Sequence, residues 1–428
     1  MTWKKVKLGD ICLIEKGKVG IKKAISGKFP LVVIGDERKS HNEFHFDGQA
    51  VIIPLVSSSG HGRKDLKRIH YQEGKFAVGD ILCAVMPKDY NETYAKFLYY
   101  FMDLNKEDEL VSRMKGMANV SLPIKSLLDI EIPLPPISEQ KAIVQKLENQ
   151  RLTIEKINTE LSHQLDIVKK LRHQILQDAV QGKLVNQNPD DEPASILLKK
   201  IKAEKARLIK DKKLKKDKPL SPIKAKEIPF EIPENWVWCR LNDICEAIID
   251  CPHSTPKYLD FKTDYYGIDT NCINERGEII KLRTLSKESY EERIRRLLPK
   301  ENDIVYAREG SIGLATFMPA NKNICLGQRV MLFRASKAIS SRFLKHIVTE
   351  DTYKNRLLAK HRGIGAKHVN VRDIVESLLP LPPLPEQHRI VAKVESLMRL
   401  CDELEANIRQ NQSYTEQLLQ AALREALQ

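Results

Sequence analysis

The sequence predicts an α+β fold built twice: two duplicated globular segments, each leading into a long helix, with the two helices packed on each other. Three observations predict it. The nine residues IPLPPISEQ at 132–140 return as LPLPPLPEQ at 379–387. WKKVKLGDIC at 3–12 aligns without a gap on WVWCRLNDIC at 236–245, placing Trp3 on Trp236, Leu8 on Leu241 and Cys12 on Cys245. A long amphipathic pattern follows each proline bracket, opening EQKAIVQKLE and EQHRIVAKVE. A further echo, GDIL at 79–82 against NDIV at 302–305, falls midway through each half. Landmarks that recur in one order at this distance mark an internal duplication.

The bracket has a mechanical reading. Proline confines the residue before it to extended backbone and fits the first turn of a helix. PLPP therefore ends a globular segment in a stiff stretch and fixes where the helix begins. Ser138 is expected to cap the first helix. Glu139 and Glu386 fall in first turns, where the positive end of the helix dipole favours acid.

The helices follow from periodicity. After Ser138, apolar residues fall at Ile143, Leu147, Ile154, Ile157, Leu161, Leu165, Val168, Leu171, Ile175 and Ala179. Steps of three and four are the spacing of a coiled-coil seam, and Gly182 is placed to stop the helix. The second pattern uses Ile390, Val394, Leu397, Leu400, Leu404, Ile408, Leu418 and Ala422, with Asn411 and Thr415 as polar seam positions. Equal lengths let each helix bury the other's stripe. The globular parts mix β-branched runs (LVVIG at 31–35, DIVYA at 303–307) with helical stretches such as TYAKFLYYFMDL at 93–104. The resulting division is 1–137, a globular segment; 138–183, the first helix; 184–228, a basic helix and linker; 229–384, the second globular segment; and 385–428, the second helix.

Formal net charge is +14, with a sequence pI near 9.2, which favours a polyanionic partner. Much of that surplus is local. Residues 199–218 carry eleven Lys/Arg against three Asp/Glu, and this tract reads equally as a phosphate or headgroup contact or as a solvated linker. No run reaches the roughly 18 apolar residues of a membrane span, and no apolar h-region follows MTWKKVKLGD. The eight cysteines include no CxxC pair and read as buried free thiols of a reduced, cytoplasmic protein.

No catalytic constellation is expected. GIKKAISGKF at 20–29 spaces its glycines wrongly for a P-loop and puts Phe29 where a Mg²⁺-binding hydroxyl is needed. HRGIGAKH at 361–368 lacks the acidic ribose contact of a dinucleotide site. What remains is binding surface: polar and basic side chains beside glycines at the ends of apolar runs. Arg reads guanine, Gln and Asn read adenine, and Lys grips phosphate, while glycine lets backbone approach closely. The expected DNA contacts are His61, Arg63, Lys64 and Lys67 in PLVSSSGHGRKDLKR (54–68), Arg308 and Ser311 in AREGSIG (307–313), Gln328 and Arg329 in CLGQRVM (325–331), and Arg362, Lys367, His368 and Asn370 in KHRGIGAKHVNVRD (360–373). The first loop is read as the counterpart of AREGSIG.

These features together resemble the specificity subunit of type I restriction–modification systems. The resemblance covers the whole chain. It is carried by the two PLPPxxEQ helix starts, HQILQDAVQGKLV (173–185) followed by DEPASILLKKIKAEKARLI, DCPHSTP (250–256), AREGSIG and CLGQRVM. It implies two target-recognition domains separated by two conserved helices forming an antiparallel coiled coil. Each domain would read one half of a split, asymmetric double-stranded DNA target, and the coiled coil would set the gap. It implies a non-catalytic chain that binds no cofactor and assembles with two modification (methyltransferase) subunits and two restriction subunits. Those partners would use S-adenosylmethionine for adenine-N6 methylation, and ATP and Mg²⁺ for translocation and cleavage. No membrane partner is implied. The residues leave two rivals open: a free-standing DNA-binding or scaffolding coiled-coil protein, and a cryptic nuclease or methyltransferase.

Overall fold

The structure, a computed structural model, describes residues 3–59, 62–214, 220–320, 322–359 and 368–427. The chain divides into two compact units, Met1–His163 with Ile408–Gln428, and Gln164–Asn407.

In the first unit the chain runs β1 (Lys4–Lys7), α1 (Leu8–Ile11), β2 (Cys12–Lys16), β3 (Phe29–Val32), β4 (Lys39–His41), β5 (Phe46–Pro54), β6 (His70–Val78), β7 (Leu82–Pro87), α2 (Ala95–Leu104), α3 (Ile124–Leu128) and β8 (Glu131–Leu134), then enters α4 (Ile137–Val180). β1 pairs antiparallel with β8. The main sheet has the order β2-β7-β5-β6-β3-β4, and its β3–β6 pairing is parallel. Its centre is apolar on both faces, which explains the unbroken AVIIP and LCAVMP runs. Val51, Ile53, Cys83 and Val85 pack with Phe97, Leu98 and Phe101 of α2. The alternate residues Ala50, Ile52 and Ala84 join Phe46, Phe76 and Val78 on the other face.

The second unit repeats this plan. After α5 (Ala194–Lys210) come β9 (Val237–Arg240), α6 (Leu241–Ile244), β10 (Cys245–Asp250), β11 (Tyr265–Ile268), β12 (Arg283–Thr284), α7 (Lys287–Arg293), β13 (Ile304–Ala307), β14 (Ala315–Phe317), β15 (Asn323–Leu326), β16 (Val330–Ala335), α8 (Ser341–Thr349), α9 (Asp351–Leu358), α10 (Val371–Val375), β17 (Leu378–Leu381) and α11 (Leu384–Leu427). β9 pairs with β17 as β1 does with β8. The orders β10-β16-β13-β14 and β12-β11-β15 match the first sheet strand for strand once β6 is read as β14 and β15 fused. β6 pairs antiparallel with β5 and, through Ala77 and Val78, parallel with β3. β14 pairs antiparallel with β13, and β15 parallel with β11.

This matching corrects one expected landmark. NDIV leads into β13, whose counterpart is β5, whereas GDIL leads into β7, whose counterpart is β16. The two tetrapeptides mark different strands; a turn followed by a buried apolar strand is a common local pattern, and here it recurred out of register. The loops after β5 and β13 are true counterparts, because they leave equivalent strands.

α4 and α11 span 44 residues each, and the two helices pair antiparallel. In the first unit Val144 and Leu147 share a core with Leu423 and Leu427. In the second, Arg172 of α4 donates to Asp402 at 2.7 Å and Glu405 at 3.3 Å on α11. The seam differs from the leucine-based expectation. Ile157 (43% exposed), Leu171 (42%), Leu400 (51%), Leu404 (48%) and Leu418 (64%) point outward; Ile408 and Thr415 are buried as expected, and Cys401, not expected in the seam, is buried with them. The buried residues Val394, Cys401, Ile408 and Thr415 recur every seven positions. Leu400 sits one residue off that line, about 100° around the helix, and Leu404 and Leu418 sit three residues past a buried position, about 60° to one side.

The joint is also built differently from expectation. α4 begins at Ile137, so Ser138 lies inside the first turn, and Glu139 N–H donates to Pro136 O. The device that closes the joint is the glutamine of each EQ pair. Gln140, wholly buried, donates through Nε2 to Pro135 O and Glu92 O, both at 2.8 Å, and accepts from Tyr94 N at 2.8 Å. Gln387, equally buried, donates to Pro382 O and accepts from Ser340 N, both at 3.0 Å. Glu386 is buried too, accepting from Trp236 Nε1 at 2.9 Å and Gln187 Nε2 at 2.6 Å. Burial pushes its carboxyl above the usual range against the pull of those two donors, so it acts as a buried acceptor linking three segments. Glu139 is exposed, as a dipole-favoured acid would be.

The basic tract is divided. α5 docks through Ala194, Leu197 and Ile201, with Lys205 Nζ on Asn242 O at 2.8 Å and Lys202 on Asp243 at 3.3 Å. The rest of the tract from 215 to 218 lies outside the described residues. All eight cysteines are free and buried.

Candidate nucleic-acid interface

The candidate interface in the second unit is made where loops leave the strand ends after β10, β13 and β15 and before α10. Arg308 is their hub. Its Nε and Nη2 donate to the two Asp250 oxygens at 2.8 and 3.2 Å, and Nη1 donates to Glu309 at 2.8 Å. Its backbone N–H donates to Arg329 O, and its carbonyl accepts from Val369 N, both at 3.0 Å. Burial alone lowers the guanidinium's affinity for its proton, but the Asp250 hydrogen bond and charge, with Glu309, outweigh that and raise it. Arg308 is thus 8% exposed, with each of its three side-chain nitrogens bonded within the protein. Where a base contact was expected, the structure shows this side chain paired within the protein and bracing the loops, and a bidentate pair of this kind is costly to break once buried.

Arg329 occupies the presenting position. Its φ of 64° is a left-handed conformation rare for a non-glycine residue. Its side chain is 59% exposed, with Nε 4.0 Å from Glu309. Gln328 donates to Thr255 Oγ1 at 2.6 Å, tying this turn to the HSTP stretch after β10. A residue that sequence reading missed, Arg293, holds the same turn from below. Buried, it donates to Leu326 O and Gly327 O, both at 2.7 Å, and to Ser254 O at 3.1 Å. Within EERIRRL nothing distinguishes it from its two arginine neighbours. Asp250 was equally unmarked except as the first residue of DCPHSTP.

Ser311 is exposed on the turn between Gly310 (φ 70°) and Gly313 (φ 90°). His368 is exposed and its backbone bridges Glu309, which places it beside this loop. Asn370 is exposed just before α10, with Nδ2 donating to Asp373 at 3.3 Å. Arg362 and Lys367 lie outside the described residues.

The first unit has the equivalent surface on a different scaffold. Residues 57–69 link β5 to β6 and are held by hydroxyls: Ser57 Oγ donates to Arg63 O at 2.5 Å, Ser58 Oγ accepts from Lys67 N at 3.1 Å, and Ser59 Oγ donates to Asp65. Arg63, Lys64 and Lys67 are exposed; His61 lies outside the described residues. Arg68 is paired with Asp36. A second loop, 113–121, packs alongside, with Ser57 N–H donating to Val120 O at 3.1 Å. Leu122 N–H also donates to Leu55 O at 2.9 Å, and that bond mirrors Val369 N to Arg308 O, so in both units the loop after the central strand is stitched to the loop before the last short helix. SLPIKSLL (121–128) aligned without a gap on HVNVRDIV (368–375), at the offset of the two brackets, is the sequence trace of this stitch; it keeps residue types but no identities, too little to register alone.

Comparison with known proteins places this geometry. The chain is 31% identical to the Type I restriction enzyme EcoAI specificity subunit of Escherichia coli, over 64% of this chain and 47% of that protein. It is 23% identical to the EcoDI specificity subunit, over 100% of this chain and 88% of the relative. The MjaVIII specificity subunit of Methanocaldococcus jannaschii is 24% identical over 94% of this chain and 87% of its own length. The alignments span less than half of the EcoAI and EcoEI subunits, 47% and 43%. Among solved structures, a chain from a study of complex assembly and conformational transition in the type I R-M system aligns with a TM-score of 0.60 at 18% identity, covering 100% of this chain and 98% of that one. A specificity subunit from Thermoanaerobacter tengcongensis aligns at 0.52 and 16% identity, covering 100% and 96%; these two show a shared fold. The family model described as the type I restriction modification DNA specificity domain matches twice, over residues 1–165 and 233–412, once per copy of the duplicated plan. The chain belongs to the family of type I restriction–modification specificity subunits.

Proposed function

We propose that this chain is the non-catalytic DNA-recognition subunit of a type I restriction–modification complex. Each unit reads one half of a bipartite, asymmetric duplex target, and the length of the paired helices sets the gap. The observation that carries this reading is the shared stitch between loops. Two copies of one sheet present equivalent loop pairs, held by Leu122 N to Leu55 O in one and Val369 N to Arg308 O in the other, yet clothed in different side chains. Equivalent scaffolds with unlike surfaces are what two unlike half-sites require. Arg63, Lys64 and Lys67 serve the first half-site; Ser311, Gln328, Arg329, His368 and Asn370 serve the second.

Two modification subunits and two restriction subunits complete the complex, supplying S-adenosylmethionine-dependent adenine-N6 methylation and ATP- and Mg²⁺-dependent cleavage. The outward apolar residues of the long helices, Leu152, Ile157, Ile167 and Leu171 on α4 and Leu400, Leu404 and Leu418 on α11, are the surface offered to the modification subunits, since water-exposed apolar stripes favour a partner. Among the described residues no helix is long and apolar enough to cross a membrane.

The test is to co-express the chain with its methyltransferase and sequence the methylated adenines in the host genome. The expected result is one motif with two unlike halves and a fixed gap. A contiguous motif would overturn the two-reader assignment; co-purification of no methyltransferase would favour a free-standing DNA-binding protein.

A further inference from the structure

Met117 stands apart from the other apolar side chains. It is 94% exposed; the next most exposed large apolar residue among those described is Phe261, at 66%. Single exposed apolar residues are ordinary on protein surfaces, but this one is presented by a rigid device. Lys115 and Ser121 exchange both backbone hydrogen bonds at 2.8 Å, closing the turn beneath it. Gly116 takes φ 113°, and a Cβ there would stand 2.3 Å from Asn119 O, so the turn is tight enough to require glycine. On its other side Gly62 N–H donates to Ala118 O at 3.3 Å, and a Cβ on Gly62 would stand 2.4 Å from Met117 O. That contact seats the turn directly against the basic loop carrying Arg63, Lys64 and Lys67, all exposed, with exposed Lys115 at the turn's own base. The tip is therefore apolar, fixed and collared by cations.

A side chain that packs on nothing in its own fold, set among phosphate-gripping lysines, matches the apolar wedges that DNA-binding proteins insert between base pairs. Methionine suits such a role because it is unbranched, polarizable and adapts to the gap it enters. We propose that Met117 is such a wedge, entering one base step of the half-site read by the first unit and unstacking it. The inference rests on the DNA-recognition reading above and deepens it, because deformability of that step would then contribute to specificity at a position not read by hydrogen bonds. The aligned residue of the second copy is Ile364, which lies outside the described residues.

The experiment uses the full chain co-purified with its methyltransferase, and duplexes of the methylation-mapped target with 2-aminopurine at each position in turn except the methylated adenines and their neighbours, which the methyltransferase itself unstacks by flipping its base. Wild-type protein should raise fluorescence at least about twofold at one step of the first half-site, where stacking is lost. Met117→Ala should abolish that rise and weaken target binding, while Met117→Leu retains both. Because the side chain is exposed, the alanine variant should unfold at the wild-type denaturant concentration. Target binding without a local rise, or a rise that persists in Met117→Ala, overturns the wedge and leaves DNA recognition standing. Failure of the wild-type complex to prefer the mapped target over random duplex overturns both.

Discussion

Gln140 and Gln387 hold the same place in two copies of one joint. Each is wholly buried, each donates to a carbonyl of the proline bracket, and each accepts the backbone N–H that precedes the first long helix of its globular part, Tyr94 before α2 and Ser340 before α8. A side chain with both a donor and an acceptor is needed here, because the proline carbonyl and the helix-leading amide must be satisfied at once.

Replacing either glutamine by leucine leaves both groups buried without partners. Each unpaired group costs about 1–3 kcal/mol, so Gln140→Leu and Gln387→Leu should each lose roughly 2–5 kcal/mol. Urea unfolding followed by circular dichroism measures this; a loss under about 1 kcal/mol would show that the joint is held elsewhere.

Arg308 and Arg329 should separate cleanly. Arg308→Ala strands the Asp250 carboxylate and should destabilise the second unit by about 3–5 kcal/mol, visible as early unfolding without DNA. Arg329→Ala keeps the Cβ and with it the left-handed strain, so it should leave unfolding unchanged and cost about 1–3 kcal/mol on one half-site. Equal losses on target and random duplex would make Arg329 a phosphate contact.

Removing seven residues at matched positions from α4 and α11 shortens the pair by about 10 Å at 1.5 Å per residue. The gap between half-sites should shrink by about 3 base pairs at 3.4 Å each, with the bases read unchanged. Methylation mapping of the variant reports both, and an unaltered gap would refute the ruler.

Stability should fall in mild acid. His70, in the first unit, is pushed down to about 4 by burial, with Arg38 and Arg68 adding to the shift. His346, in the second, is pushed down to about 4 by burial, then by Lys345. Between pH 6.5 and 4 the unfolded chain binds protons that these neutral, buried imidazoles refuse, so stability is full above about 6.5 and is lost as pH falls. From pH 7 to 5 each should contribute a loss of about 2 kcal/mol. Denaturant midpoints measured at pH 7 and pH 5 should fall less in His346→Leu than in wild type, because leucine does not titrate.

The duplication, the two joints and the two helices were legible because each has a local cause. Prolines restrict their own backbone, and a seam announces itself by spacing. The seam's membership was less legible: hydrophobicity counted in the leucines at 400, 404 and 418 and left out Cys401, but helix phase decides which side chains face the partner. At the interface, residue type indicated that arginines mattered without telling which would be spent inside the protein.

The sequence by itself determined that the chain is two copies of a domain and a rod, because repeated residues and period are properties of one dimension. Only the tertiary structure decided that NDIV and GDIL lie on different strands, that Arg308 is a brace while Arg329 is presented, and that Met117 stands free on a pinned turn. Those are facts about which loops meet, and loop encounters are set by sheet order and long-range hydrogen bonds that local sequence does not encode.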